Sequence, residues 1–430
     1  MARLFSQQSF RSKTLVAAAF VFLVALLIYR LTLAPTVTLV DSGELIVAAR
    51  FLGSHPSGFP LYLILAHLVS LLPFGSIAFR INSASAIFAA LACGMLTLVA
   101  AELIAASSFV SPLRSEQRKK ASKSKIVGKD TFIADGWLML GSAISSGILL
   151  AFSRTLWSYA TIAEVYTLNS LLILTILFLM LRWRRGTGND VNDATIKNRS
   201  RRSIPAIADY DSWLCAAAIV FGVALGVHHV TVGLLLPALA AMVWKTQGIG
   251  FFVSRRLFYA ALVSLAALVA VDSYLPLAAS ANPLLNWGDP SSFRALWWHI
   301  TGRQYQVFVS FTPAIAGQEL IKFGHLLLRE FGFCWLPLPL LFAVIGYISM
   351  FRRDRTAFWF LILVVLFNLG YAVNYEIAED KDAHYLPTFI SIAAASGYGM
   401  REVLRRLASS SRAPAAGLML VTPLLGLLAH

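Results

Sequence analysis

Asp41 and Glu44, three residues apart in Val40-Asp41-Ser42-Gly43-Glu44-Leu45, are carboxylates whose spacing could do chemistry. On a helix the spacing puts both side chains on one side, where two acids can share a proton, take one from a hydroxyl, or flank a substrate. The same pattern also starts a helix, with Asp41 or Ser42 as N-cap and an acid in the first turn, so spacing alone leaves both readings open. In Gly53-Ser54-His55-Pro56-Ser57-Gly58-Phe59-Pro60, prolines and glycines fix an irregular turn around His55. That imidazole could bond a phosphate, assist a proton transfer, or serve only as a structural donor.

Other candidates recur along the chain. The segment Arg154 to Tyr166 mixes a cation, aromatics and Glu164; an aromatic belt accounts for Trp157 and Tyr159, and a helix start accounts equally well for the acid. His228 and His229 suggest a metal, but neighbouring helical residues point about 100° apart and no carboxylate stands at a fixed spacing, so they read instead as facing one cavity. A later stretch, Asn282-Pro283 through Asn286-Trp287-Gly288-Asp289-Pro290, is followed by Arg294, Trp298, His299, Gly302, Arg303, Gln304 and Tyr305. Arg294, Arg303 and Lys322 are cations where membrane orientation gives no reason for them, which points to a phosphate-bearing ligand. The acidic turn Asn374 to Pro387 reads as closing the cavity or as a solvated turn.

These residues need elements to hold them, and the composition says which. With 58% hydrophobic and 13% charged residues, the chain has more apolar surface than one soluble core could bury, so the surplus faces lipid. The net charge of +15 lies in short basic clusters between apolar runs, where orientation in a membrane accounts for it and nucleic acid is not needed. Cys93, Cys215 and Cys334 sit in apolar stretches and read as small core residues. Runs of about 20 apolar residues, with positive loops kept cytoplasmic, predict about eleven spanning helices in an all-α polytopic bundle. The first, Thr14 to Leu33, lacks a small-residue cleavage site and reads as retained; others are expected at 79–106, 135–152, 163–181, 257–279, 333–350, 357–374, 385–403 and 414–428. Residues 212–244 read as two short helices turning at His228 and His229. Outer loops are expected at 34–78, with an interfacial helix over 60–72, and at 280–332; cytoplasmic basic loops at 107–134 and 182–211; one membrane domain spans 1–430.

Leu33-Ala34-Pro35-Thr36-Val37-Thr38, Asp41-Ser42-Gly43-Glu44, the turn at His55 through Tyr62 and Leu71-Leu72-Pro73-Phe74 together resemble glycosyltransferase family 117 of the GT-C superfamily, whose animal member is a protein O-mannosyltransferase. Asn286-Trp287-Gly288-Asp289-Pro290 and Gly302-Arg303-Gln304-Tyr305 fit that family's second loop; Ser57 and Phe59 depart from its usual Pro and Tyr. The resemblance implies a GT-C-type bundle that moves a sugar, mannose in the animal member, from a polyprenyl-phosphate donor to an acceptor hydroxyl of a protein or glycan. It implies Asp41 or Glu44 as base, with His55, Arg154, Glu164, His228, His229, Asp289, Arg294, Arg303 and Tyr305 around donor and substrate. No tightly bound cofactor and no metal ligand set is expected, and a need for a divalent ion stays open. Membrane lipid, the lipid-linked donor and the acceptor are the expected partners. A bacterial inner membrane with a periplasmic active face fits the loop signs, and an endoplasmic-reticulum placement obeys the same rule. A lipid-linked saccharide flippase or secondary transporter is the alternative, but its ionisable groups belong near the bilayer midplane, whereas these gather in loops. A non-catalytic envelope scaffold is the third reading.

Overall fold

Lipid offers a backbone no hydrogen-bond partners, so apolar runs must satisfy their own N–H and C=O groups as helices. The computed structural model describes residues 2–38, 41–55, 58–119, 129–196, 206–331, 337–377, 380–407 and 417. Within them the regular elements are all helical, and β-structure is confined to three isolated bridges. The chain runs α1 (Ala2–Leu31), α2 (Ser42–Phe51), α3 (Pro60–Ser70), α4 (Ile77–Lys119), α5 (Lys129–Ala151), α6 (Arg154–Ala160), α7 (Tyr166–Ile196) and α8 (Ala206–Gly233). It continues through α9 (Leu236–Gln247), α10 (Arg255–Asp272), α11 (Tyr274–Ser280), α12 (Phe293–Ile300), α13 (Pro313–Glu330), α14 (Leu338–Arg353), α15 (Arg355–Ala372) and α16 (Leu386–Arg406).

Among the described residues six segments are long and apolar enough to cross a membrane, or seven when α5 and α6, bent by 62°, count as one. They are Arg11–Leu31, Ile77–Ala106, Tyr166–Thr187, Asp211–Gly233, Arg255–Ser280 and Arg355–Ala372. The expected eleven is therefore not reached on this criterion: α9 and α14 are short, α16 is rich in small and charged residues, and the expected span 414–428 lies outside the described residues apart from Gly417. α16 is buried along nearly its whole length and packs against α14 and α5. Glycine permits this closeness, since a β-carbon on Gly399 would strike the Phe342 carbonyl and one on Gly397 the Ser146 hydroxyl.

Two further expectations are corrected. The basic loops over 107–134 and 182–211 are mostly helical, because α4 continues to Lys119, α5 begins at Lys129, α7 continues to Ile196 and α8 begins at Ala206. Straight-chain Lys, Arg, Glu and Gln propagate helix well once an apolar span has nucleated it. The turn expected at His228 and His229 is a break inside α8, where His228 takes φ −153° and ψ 85°; the reversal comes beyond Gly233, just before Pro237 in the first turn of α9.

The helices alternate direction, gathering α2, α3, α6 and α11 to α13 at one end with the acidic loops, and the arginine clusters at the other. At the basic end Glu102 of α4 pairs with Arg182 and Arg185 of α7, Asp354 pairs with Arg184 at 2.6 Å and caps α15, and Glu402 meets Arg353 at 3.0 Å. Each acid is largely buried, so removing one partner would strand a charge. Where α1 and α5 end, the Tyr29 hydroxyl donates to the Ala151 carbonyl at 2.9 Å.

Candidate functional site

The first acid-end loop supplies the centre of the site. α2 begins at Ser42, so Asp41 stands at its N-cap without a capping side-chain bond and Glu44 in its first turn. The helix does start here, but without the side-chain bond a capping aspartate would make. His55 Nε2 lies 3.7 Å from Asp41 Oδ2 and 3.8 Å from Glu44 Oε2. The acids are about half exposed (45% and 49%) whereas the imidazole is fully buried, so the acids open to a ligand and the ring backs them. Burial, helped by nearby His299, lowers His55 to about 3, so it is neutral and its contact with the acids is not an ion pair at neutral pH. The His55 ring stacks on Phe59 at 5.1 Å, and Phe59 holds a left-handed φ of 52° directly before Pro60 opens α3. Pro56 and Ser57 of the same turn lie outside the described residues.

The second acid-end loop clamps the first. Ser54 N–H donates to the Leu285 carbonyl at 3.0 Å and Trp287 N–H donates to the Ser54 carbonyl at 3.3 Å. The Ser54 hydroxyl donates to Asn286 Oδ1 at 3.2 Å, while Asn286 Nδ2 donates to Asp289 Oδ1 at 3.0 Å. Asp289 is thus a loop-positioning residue, at φ 37°. Gly53 lies against the Leu285 carbonyl so tightly that a β-carbon there would clash, and Tyr274 anchors the same residue by donating to its carbonyl at 2.9 Å.

The two histidines of α8 lie with their rings stacked, centroids 6.5 Å apart. His228 also packs between Phe59 at 6.4 Å, Tyr166 at 5.7 Å and His384 at 5.3 Å. His229 borders a small cavity lined also by Gly58, Asp272 and His299, and lies against Gly302. Among the described residues no three His, Cys, Asp or Glu side chains gather as a metal site. Arg294 and Arg303 lie over the Trp298 ring, their guanidinium carbons 4.5 and 4.4 Å from its centroid. Tyr305 lies beside them, against Gly302 and near Tyr375. Lys322, expected as a phosphate cation, pairs with Glu319 at 2.7 Å, and Lys381 meets the same carboxylate at 2.7 Å. Arg154 is exposed at the start of α6, and no hydrogen bond or ion pair joins it to the acids.

Glu164 lies in the turn before α7 with 1% of its surface exposed. Ser85 Oγ accepts from its N–H at 3.0 Å, while its Oε1 is buried without a hydrogen-bond partner. Burial, then the charges of Asp380 and Asp41, push its carboxyl well above the usual range. Three segments distant in sequence therefore meet around one charge problem. The acidic turn expected to close the cavity does pack inward: Asp382 and Asp380 accept from the Tyr159 hydroxyl at 2.5 and 3.3 Å. Tyr159, Phe59, His299, His384 and Asp380 were given no site role of their own by sequence, because a belt tyrosine or a turn aspartate carries no spacing signal until the fold assembles it. Glu330 at the end of α13 was also missed; it is fully buried, accepts from Thr155 Oγ1 at 2.7 Å, and burial raises it to about 8.

Residues 41–248 match the family model described as the protein O-mannosyl-transferase TMEM260 N-terminal domain. The chain is 28% identical over 305 residues to mouse protein O-mannosyl-transferase TMEM260; the match covers 69% of this chain but only 35% of that protein. It thus spans about a third of the curated relative's length. In fold it is similar to a crystal structure of ArnT from Cupriavidus metallidurans bound to undecaprenyl phosphate, at a TM-score of 0.57 and 14% identity, covering 96% of this chain and 64% of the other.

Proposed function

We propose that the chain, which belongs to the GT-C superfamily of membrane glycosyltransferases, transfers a sugar from a polyprenyl-phosphate donor to an acceptor hydroxyl at the acid end of the bundle. Mannose is the sugar and a protein the acceptor in this reading, which takes them from the name of the mouse relative. The lipid class comes from the undecaprenyl phosphate held by the structural neighbour. The carrying observation is the half-exposed acid pair set against a buried neutral imidazole.

One carboxylate takes the acceptor hydroxyl proton as the oxygen bonds to the anomeric carbon; the bond from that carbon to the phosphate oxygen breaks, and the polyprenyl phosphate leaves with the electron pair. Asp41, at the N-cap of α2 and 3.7 Å from His55 Nε2, is the carboxylate assigned as the base. Arg303, held on Trp298, is the cation assigned to the departing phosphate. The buried acids of the spanning helices, Glu102 and Asp272, stand near helix ends, which favours this reading over a transporter's midplane site. A bacterial inner membrane with the acid end periplasmic is the placement proposed.

Labelled mannose transfer from polyprenyl-phosphate-mannose to membrane protein tests the reading. Asp41→Asn should lower the rate about 10²–10⁴-fold, the usual worth of a general base, and Glu44→Gln should cost less. Unchanged rates in both variants would sink the acid pair as the base. Transfer by the wild type of a different sugar only would keep the mechanism and replace mannose.

A further inference from the structure

α12 has two unlike faces. His299 is 4% exposed, and its ring lies against Gly58 and Gly288, where added β-carbons would come within 3.3 and 3.2 Å of it. Two hundred degrees round the helix, Phe293 and Trp297 stand one turn apart and are 83% and 58% exposed. Val307 and Phe311, just beyond, are also exposed. Soluble surfaces rarely show so much contiguous aromatic and aliphatic side chain, and such patches mark membrane or partner contacts. Arg294 and Arg303 flank the patch on the Trp298 ring. Tryptophan with arginine is the composition of the headgroup region, where the ring is half-wet and the guanidinium meets lipid phosphate. The span Arg255–Ser280 delivers the chain to this loop, so α12 begins close to the membrane surface.

We propose that α12 is a membrane-docking helix: Phe293 and Trp297 enter the boundary between headgroups and acyl chains of the leaflet at the acid end, with Arg294 of the same helix against anionic lipid phosphates. The opposite face of the helix carries His299 onto the His55 turn, so lipid contact and the acid pair share one rigid element. This docking does not depend on the transfer reaction.

The test places a nitroxide on Phe293→Cys, Trp297→Cys and, as a control, Glu376→Cys, an exposed charged position at the same end. The protein is held in nanodiscs of phosphatidylglycerol and phosphatidylcholine, and collision with oxygen is compared with collision with a soluble nickel chelate. Labels at 293 and 297 should favour oxygen several-fold over the control. Their depth should decrease in phosphatidylcholine alone, and Arg294→Gln should abolish that lipid dependence. Labels at 293 and 297 as open to nickel as the control would overturn the proposal and leave the patch to a protein partner. Should the cysteine variants fail to purify as a single species, quenching of intrinsic tryptophan by brominated lipid decides instead. Quenching should fall in Trp297→Phe, and quenching equal to that of the wild type would equally overturn it.

Discussion

Glu164 and Asp41 are carboxylates close enough for one charge to act on the other, and burial separates their uses. Glu164 is enclosed and its proton affinity is raised, so it works as a neutral group; Asp41 is about half exposed and open to a ligand. Glu164→Gln keeps the neutral shape and should leave transfer within a few-fold of wild type, whereas Glu164→Leu should lose it; equal losses in both would mean the carboxylate itself is needed. Glu330 carries a consequence for stability. Its folded carboxyl titrates at about 8 against an ordinary 4.5, so between those values the unfolded chain has released a proton that the folded chain retains. Stability from this group is complete below about pH 4.5 and is lost as pH rises toward about 8, on the order of a few kcal/mol. His55 and His384, lowered to about 3 and about 4, act in the opposite sense and lose stability as pH falls below their ordinary 6.5. Apparent melting of the detergent-solubilised protein should therefore peak in mildly acidic buffer, and Glu330→Gln should flatten the alkaline side. An unchanged alkaline slope would exclude Glu330 as its cause.

At the scale of elements, the pairing of the two acid-end loops decides where His55 points. Their contact is main chain to main chain at Ser54, Leu285 and Trp287, and Gly53 allows it by lacking a β-carbon. Gly53→Ala should push Leu285 away, cost about 1–3 kcal/mol of the kind overpacking costs, and slow transfer without touching the acids. Tyr274→Phe, which removes only the bond to the Gly53 carbonyl, should do the same more weakly. Melting and rate measured on both variants check this, and a normal rate in Gly53→Ala would show the loop clamp to be dispensable. These loops were legible as places to watch because prolines, glycines and charges interrupt apolar runs there. Their pairing was not, since main-chain hydrogen bonds leave little mark on residue type.

For the whole molecule, the alternation of helices puts the acids at one end and the arginine clusters at the other, and the sidedness proposed above, acid end out, follows from the positive-inside rule. A membrane-impermeant thiol reagent applied to intact cells should label Glu376→Cys and leave Lys245→Cys untouched until the cells are opened; the reverse pattern would invert the proposed sidedness. Apolar run length and basic clusters were sufficient to predict an all-α membrane bundle, because lipid forces helices wherever the chain runs through it. Helix ends were less legible: Lys- and Arg-rich segments extended α4 and α7, and α8 ran past His228, since helix propagation depends on neighbours as well as on local breakers. Tertiary structure alone decided that His228 packs against His384, that Lys322 is taken by Glu319, and that Glu164, Asp380 and Asp41 share one electrostatic environment. Those outcomes depend on which distant segments come within a few ångströms of each other, and burial then sets the charge each group can hold.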